Sequence, residues 1–161
     1  MAQTFQLLIN QDLAERIRRH GAETFPYECC GALLGRDSTA AEKTDLSGRE
    51  PTAREVLELF PLVNRRDDSP RNRFAVTADD VRDAEKAARE QGFDVIGWYH
   101  SHPDHPARPS QFDREHAWPW YSYIIVSVMA GNPADMTSWR LNDDRQDYSP
   151  EPIEIRNRAV A

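Results

Sequence analysis

The chain has 161 residues, enough for one domain with a sizeable buried core, and a single domain over residues 1–161 is expected. Lys and Arg total 20 against 27 Asp and Glu, and the resulting formal charge of −7 argues against a nucleic-acid surface, which needs a clustered basic excess. No apolar run approaches the roughly 18–20 residues that span a bilayer, and Met1–Asn10 has no charged or long apolar leader region, so a cytoplasmic protein is expected.

The order of elements reads as follows. Thr4–Ile9 is a short strand. Asn10 can cap a helix whose apolar positions Leu13 and Ile17 recur four apart, which runs out near Gly21 and cannot pass Pro26. Cys29–Gly35 is an apolar run bounded by glycine, a buried strand. Its neighbouring cysteines are poor disulfide partners and face opposite sides of a strand, so they read as small buried hydrophobes in a reducing compartment. Arg36–Arg54 is polar and reads as a hairpin loop or insert, and Glu55–Val63 alternates as a third strand. Asn64–Arg73 is a charged loop.

Thr77-Ala78-Asp79-Asp80 has capping-box spacing, with Asp80 in the place usually held by Glu or Gln. It opens a helix through Glu90 with Val81, Ala84, Ala87 and Ala88 on one face, closed by Gly92. Asp94–His100 is a strand that delivers a histidine at its end. Ser110-Gln111-Phe112-Asp113 again has N-cap spacing and leads into a short helix. Tyr121–Met129 is strongly β-prone, Thr137–Leu141 can pair with it after a Gly131-Asn132-Pro133 turn, and Pro152–Ile155 adds an edge strand. The order β-α-β-β-α-β-α-β-β predicts an α/β or α+β fold, a mixed sheet with flanking helices.

His100-Ser101-His102-Pro103, followed by Ser110 and Asp113, carries the chemistry. Residues two apart on a strand share a side, so both imidazoles can meet one ion. Two neutral imidazoles and one carboxylate suit a catalytic zinc, one per chain, with a coordination position left for water. Pro103, Pro106 and Pro109 stiffen the intervening loop, since each fixes its own φ and restricts the residue before it. Ser110 has two readings, an N-cap for the helix of Asp113 and a hydroxyl donor to a developing oxyanion. A base must come from elsewhere. Glu28, at the head of an apolar strand, is either a candidate for it or a solvent-facing loop residue.

These residues resemble the motif of the JAMM (MPN-plus) metalloprotease family: a distant Glu, then His-x-His, seven residues, Ser, two residues, Asp. Pro26–Gly35 is similar to the strand that carries the family's Glu, and Tyr99–Pro103 to its ligand strand. The likeness covers roughly Phe5–Leu141 with the motif complete. It implies the JAMM/MPN (cytidine-deaminase-like) fold, His100, His102 and Asp113 as zinc ligands, Glu28 as general base and Ser110 as oxyanion donor. It also implies hydrolysis of the amide bond after the C-terminal Gly-Gly of a ubiquitin-like protein. The compact chain looks more like the prokaryotic branch that processes small β-grasp sulfur-carrier proteins. Peptide, isopeptide and cysteine-adduct bonds all fit that reading, as does any oligomeric state, and the rival reading is a non-catalytic scaffold or binding module of the same fold.

Other residues carry two readings each. His105 is a loop histidine or a substrate contact, and His116 a partly buried helix histidine or a support for the metal site. Trp118 and Trp120 are packing residues or a protein-binding surface. Asn64 and Phe74 resemble positions that flank the substrate loop in bacterial relatives.

Overall fold

The computed structural model describes residues 5–37, 52–63 and 76–157. The strands are β1 (Phe5–Asn10), β2 (Cys30–Asp37), β3 (Thr52–Leu62), β4 (Asp94–Pro103), β5 (Ser122–Met129), β6 (Asn132–Leu141), β7 (Tyr148–Glu151) and β8 (Ile153–Arg156). They form one mixed sheet in the order β7-β6-β5-β4-β2-β3-β1-β8. The helices are α1 (Gln11–Thr24), α2 (Ala78–Glu90) and α3 (Gln111–His116). The expected mixed sheet with flanking helices is the fold observed.

Local chemistry starts each helix where the caps stand. Asn10 accepts from the Leu13 amide at 2.8 Å, an N-cap worth about 1 kcal/mol. Thr77 and Asp80 form the full reciprocal capping box of α2. Helix α1 passes through Gly21 instead of ending there, because Gly21 does a packing job. A Cβ at that position would lie 3.0 Å from Val128 and 3.3 Å from Ser101, so its absence lets α1 lie close on β4 and β5.

The sheet has apolar residues on both faces. Leu13, Ala14 and Ile17 of α1 pack with Leu7, Ile9, Cys29, Leu33, Tyr99, Ile124 and Val126. Ala84 and Ala88 of α2 pack against Ala32, Leu34, Val95 and Trp98 on the opposite face. Both cysteines are free and buried, and they do face opposite ways: Cys29 joins the α1 core while Cys30 lines a hollow beside His100.

Several boundaries differ from expectation: β2 runs on to Asp37 and β3 begins at Thr52, both inside the expected Arg36–Arg54 loop. The β5–β6 turn is the two-residue Ala130-Gly131, with φ of 51° and 85°, so β6 begins at Asn132. Strand β7 has no counterpart in the sequence reading, which assigns no element between Leu141 and Pro152, and it carries a proline, Pro150. As the outermost strand it tolerates the missing donor. The last strand, β8, lies at the other edge, parallel to β1. The 38–51 stretch and residues 64–75, with Asn64 and Phe74, lie outside the described residues.

Candidate metal centre

Strand β4 is longer than expected and runs through both histidines to Pro103, pairing in parallel with β5 (His100↔Ile125, His102↔Ser127). A proline at a strand's end loses no ladder bond that matters, so Pro103 terminates the strand after His102 instead of excluding that histidine from it. Alternation then sorts the side chains. Tyr99 and Ser101 face the α1 side, where the Ser101 hydroxyl accepts from the Cys29 amide at 2.8 Å. His100 and His102 share the other face with Trp98.

Asp113 arrives from α3. Its amide donates to the Ser110 hydroxyl oxygen at 3.0 Å, and the Ser110 amide donates back to Asp113 Oδ2 at 2.9 Å. This is the capping box anticipated from spacing, with Asp113 at the third helical position. The same Oδ2 lies 3.1 Å from His102 Nε2 and 3.3 Å from His100 Nε2, and the two nitrogens are 3.1 Å apart. Three donor atoms therefore converge, as the sequence spacing predicts. His100, His102 and Asp113 stand as a group positioned to hold a metal ion.

The protonation pattern sharpens that reading. His102 Nδ1 sits 2.9 Å from the Pro106 carbonyl, which can only accept, so Nδ1 donates there and a neutral ring would present its lone pair at Nε2. That lone pair faces an imidazole nitrogen and a carboxylate oxygen. Positive charge between them has to come from protons or from a metal ion. Burial works to raise the Asp113 carboxyl. With protons on the imidazoles, attraction and hydrogen bonds from His100 and His102 outweigh it and hold the group far below the usual carboxylate range. A tetrahedral zinc with bonds of roughly 2.0–2.1 Å sets its donors about 3.3–3.4 Å apart. The observed spacings of 3.1–3.3 Å fit that ion with a few tenths of an ångström of adjustment.

Glu28 is 5 % exposed. Cys30 pairs with His100 across the β2–β4 ladder, and Ser101 N–H donates to the Cys29 carbonyl. Continuing that register places Glu28 opposite His102. Glu28, His102 and Ser110 line one cleft of about 300 Å³ together with Pro103, His105, Pro106 and Arg108. A smaller hollow lies beside His100 and Asp113, walled by Trp98, Tyr99, Tyr123 and Tyr148. Burial, then the nearby Asp113 charge, pushes the Tyr148 phenol above its ordinary value. His100, His102 and Asp113 thus converge on one point, and Glu28 and Ser110 line the cleft that His102 opens onto.

The comparisons agree with this geometry. The family model of prokaryotic homologs of the JAB domain matches residues 10–142. This chain belongs to the prokaryotic JAB family. It is the JAB/MPN family that the motif resembles. A Haloferax volcanii protein called desampylase is 31% identical over 127 residues, covering 76% of this chain and 81% of that relative. Two structures solved in solution are similar. A Salinibacter ruber protein is 44% identical with a TM-score of 0.65, covering 92% of this chain and 90% of its own. A Desulfitobacterium hafniense protein is 27% identical with a TM-score of 0.76, covering 95% and 94%.

Around the JAB site, some expectations need correcting. His116 is exposed, not partly buried: its Nδ1 is 2.9 Å from the Phe112 carbonyl and its ring stacks on Phe112 at 4.0 Å. Short α3 lies on the sheet's rim, so the turn after Asp113 meets solvent. Trp118 and Trp120 are 63% and 50% exposed, each with an arginine over its ring (Arg145 and Arg54), so neither is core packing. The exposed His105 offers its carbonyl to Ser127 Oγ at 2.6 Å and lines the cleft. Sequence reasoning missed Arg108 and Tyr148 as neighbours of the site. Arg108 sat unremarked between two prolines, and Tyr148 reaches the site on the unforeseen strand β7.

Proposed function

We propose that this chain, acting as one JAMM/MPN-plus domain, is a zinc-dependent peptidase or isopeptidase. It cleaves the amide bond after the C-terminal Gly-Gly of a ubiquitin-like or sulfur-carrier protein. The observation that carries the reading is the convergence of three lone-pair donors, His100 Nε2, His102 Nε2 and Asp113 Oδ2, beside a buried glutamate. The name of the Haloferax volcanii relative, desampylase, supports an activity on protein modifiers. The two free cysteines suit a reducing compartment such as the cytoplasm. No described helix is long and apolar enough to cross a membrane.

His100, His102 and Asp113 would hold one zinc. When bound there it supplies Lewis acidity that polarises the scissile carbonyl and makes a water acidic enough to deprotonate near neutral pH. Glu28 accepts the proton of the attacking water and delivers it to the leaving nitrogen. A carbon–oxygen bond forms, the carbon–nitrogen bond breaks, and Glu28 ends as it began. The Ser110 oxygen accepts from the Asp113 amide, which leaves its own O–H free to donate to the oxyanion. Capping and catalysis therefore use different atoms of one hydroxyl. Glycines in the tail keep side chains from holding the substrate backbone off the site.

The test offers a Gly-Gly carrier with a C-terminal extension beside the isolated tail peptide, comparing kcat/KM. Cleavage directly after Gly-Gly is expected, with the peptide much slower because the folded body supplies affinity. Glu28→Gln should lower turnover by roughly 100-fold or more while keeping the metal. Equal rates on carrier and peptide would remove the carrier from the proposal, and no cleavage of any Gly-Gly extension would favour the scaffold reading.

A further inference from the structure

Glu28 and Arg108 both line the cleft beside His102. On the reading above, Glu28 hands a proton to the leaving nitrogen, so the space next to Glu28 receives the leaving group. Its volume of about 300 Å³ is at the bottom of the roughly 300–1,000 Å³ range of small-molecule sites, which suits a small leaving group. Among the described residues, no carboxylate or carbonyl pairs with the Arg108 guanidinium. Glu28 and Asp113 bring negative charge to this site and, on the reading above, a metal bound by His100, His102 and Asp113 answers it. Among the described residues lining the cleft, Arg108 is the arginine.

The loop that carries Arg108 is held firmly. Asp104 N–H donates to the Val128 carbonyl at 2.7 Å, Ser127 Oγ to the His105 carbonyl at 2.6 Å, and Thr137 Oγ1 to the Ala107 carbonyl at 2.6 Å. Arg108 N–H donates to the Pro106 carbonyl at 2.8 Å, and Pro106 also accepts from His102. The backbone under Arg108 is thus tied to β5, to β6 and to a metal-ligating histidine. A cation on so fixed a base can recognise a partner without paying much ordering entropy.

We propose that Arg108 is a specificity-determining residue that selects leaving groups bearing a carboxylate close to the scissile nitrogen. An amino acid released from the tail carries its carboxylate on the carbon next to that nitrogen, within the span of this cleft. A lysine joined through its side chain offers only an aliphatic stem there. The inference rests on the assignment of Glu28 and decides between peptide-like and lysine-linked substrates of the same site. The carboxylate has two sources, a free chain terminus or an acidic side chain.

The experiment uses ubiquitin extended past its Gly-Gly terminus by one residue: alanine with a free carboxylate, alanine carboxamide, or aspartate carboxamide. For the zinc-loaded native chain, kcat/KM on the free acid should exceed that on alanine carboxamide by roughly 10-fold or more, the scale of one charge-assisted hydrogen bond. A terminus reader leaves aspartate carboxamide with the slow substrate, whereas a side-chain reader moves it to the fast one. Arg108→Gln should bring the acid-to-carboxamide ratio to within about twofold of one. Calorimetry of the same proteins with Glu28→Gln reads the preference without hydrolysis. Binding preference without cleavage by the native chain would sink the hydrolase reading and leave Arg108 as a carboxylate-binding residue that selects no leaving group, which overturns the inference as stated. Cleavage with no preference, a preference that survives Arg108→Gln, or neither binding nor cleavage would overturn the inference.

Discussion

Two polar clusters sit on the β4–β5 part of the sheet, and their electrostatics are opposite. Near the start of β5, Arg54 is 1% exposed and pairs with Asp37 at 3.2 Å, donating also to the Ile96 carbonyl and to Ser122 Oγ. Burial, then the neighbouring Arg140, pushes its pKa down to about 10, which still leaves it charged at neutral pH. Arg140 pairs with Glu151 at 2.7 Å, whose other oxygen accepts from Ser138 at 2.7 Å. There each buried cation faces a carboxylate supplied by the chain. Three and five residues further along the same ladder stand His100 and His102, which with Asp113 of α3 turn acceptors towards one another when the imidazoles are neutral. In the first cluster the chain supplies the counter-charges itself, although one guanidinium nitrogen each of Arg54 and Arg140 is buried without a hydrogen-bond partner. The second gains its missing positive charge from protons or from a metal, and this separates a structural network from a site.

The largest test of that contrast is to remove the positive charge. About one zinc per chain is expected by metal analysis, with hydrolysis abolished by chelation and metal lost in His100→Ala. Zinc in thousandfold excess over its Kd should stabilise the fold by about 4 kcal/mol, read as a rise in Tm that His100→Ala lacks. Zinc well below half an equivalent after reconstitution would place the triad with the structural networks.

Breaking the other cluster should harm the fold and spare the metal. Glu151→Ala strands Arg140 and Ser138 and should cost about 3–5 kcal/mol in denaturant unfolding. Its zinc content should match the native chain. A loss under 1 kcal/mol would mean that solvent reaches Arg140 and that the pairing does little.

The smallest effect lies where the two plans meet, at Ser110, which both caps α3 and faces the cleft. Ser110→Ala should lower kcat on the order of 100-fold if the hydroxyl donates to the oxyanion, and cost about 1 kcal/mol as a lost cap. Lost stability with kcat unchanged would leave Ser110 with the capping role alone.

Much of this protein follows from short-range chemistry and is legible in the chain. Asn10, Thr77 and Ser110 start helices because their side chains bond amides three residues on, and no distant partner is needed. The buried run at Cys29–Gly35 and the shared face of His100 and His102 follow from composition and the two-residue period of a strand. The family motif adds the long jump from Glu28 to His100, which periodicity cannot make. What only the tertiary structure decided depends on packing between distant segments. Gly21 stays inside α1 because β4 and β5 press on it, β7 forms despite Pro150 because it has one free edge, and His116 is exposed because α3 ends at the rim. Nothing in the sequence marks Arg108. It is exposed in the structure and lines the cleft because Ser127 and Thr137, from two other strands, tie down its loop.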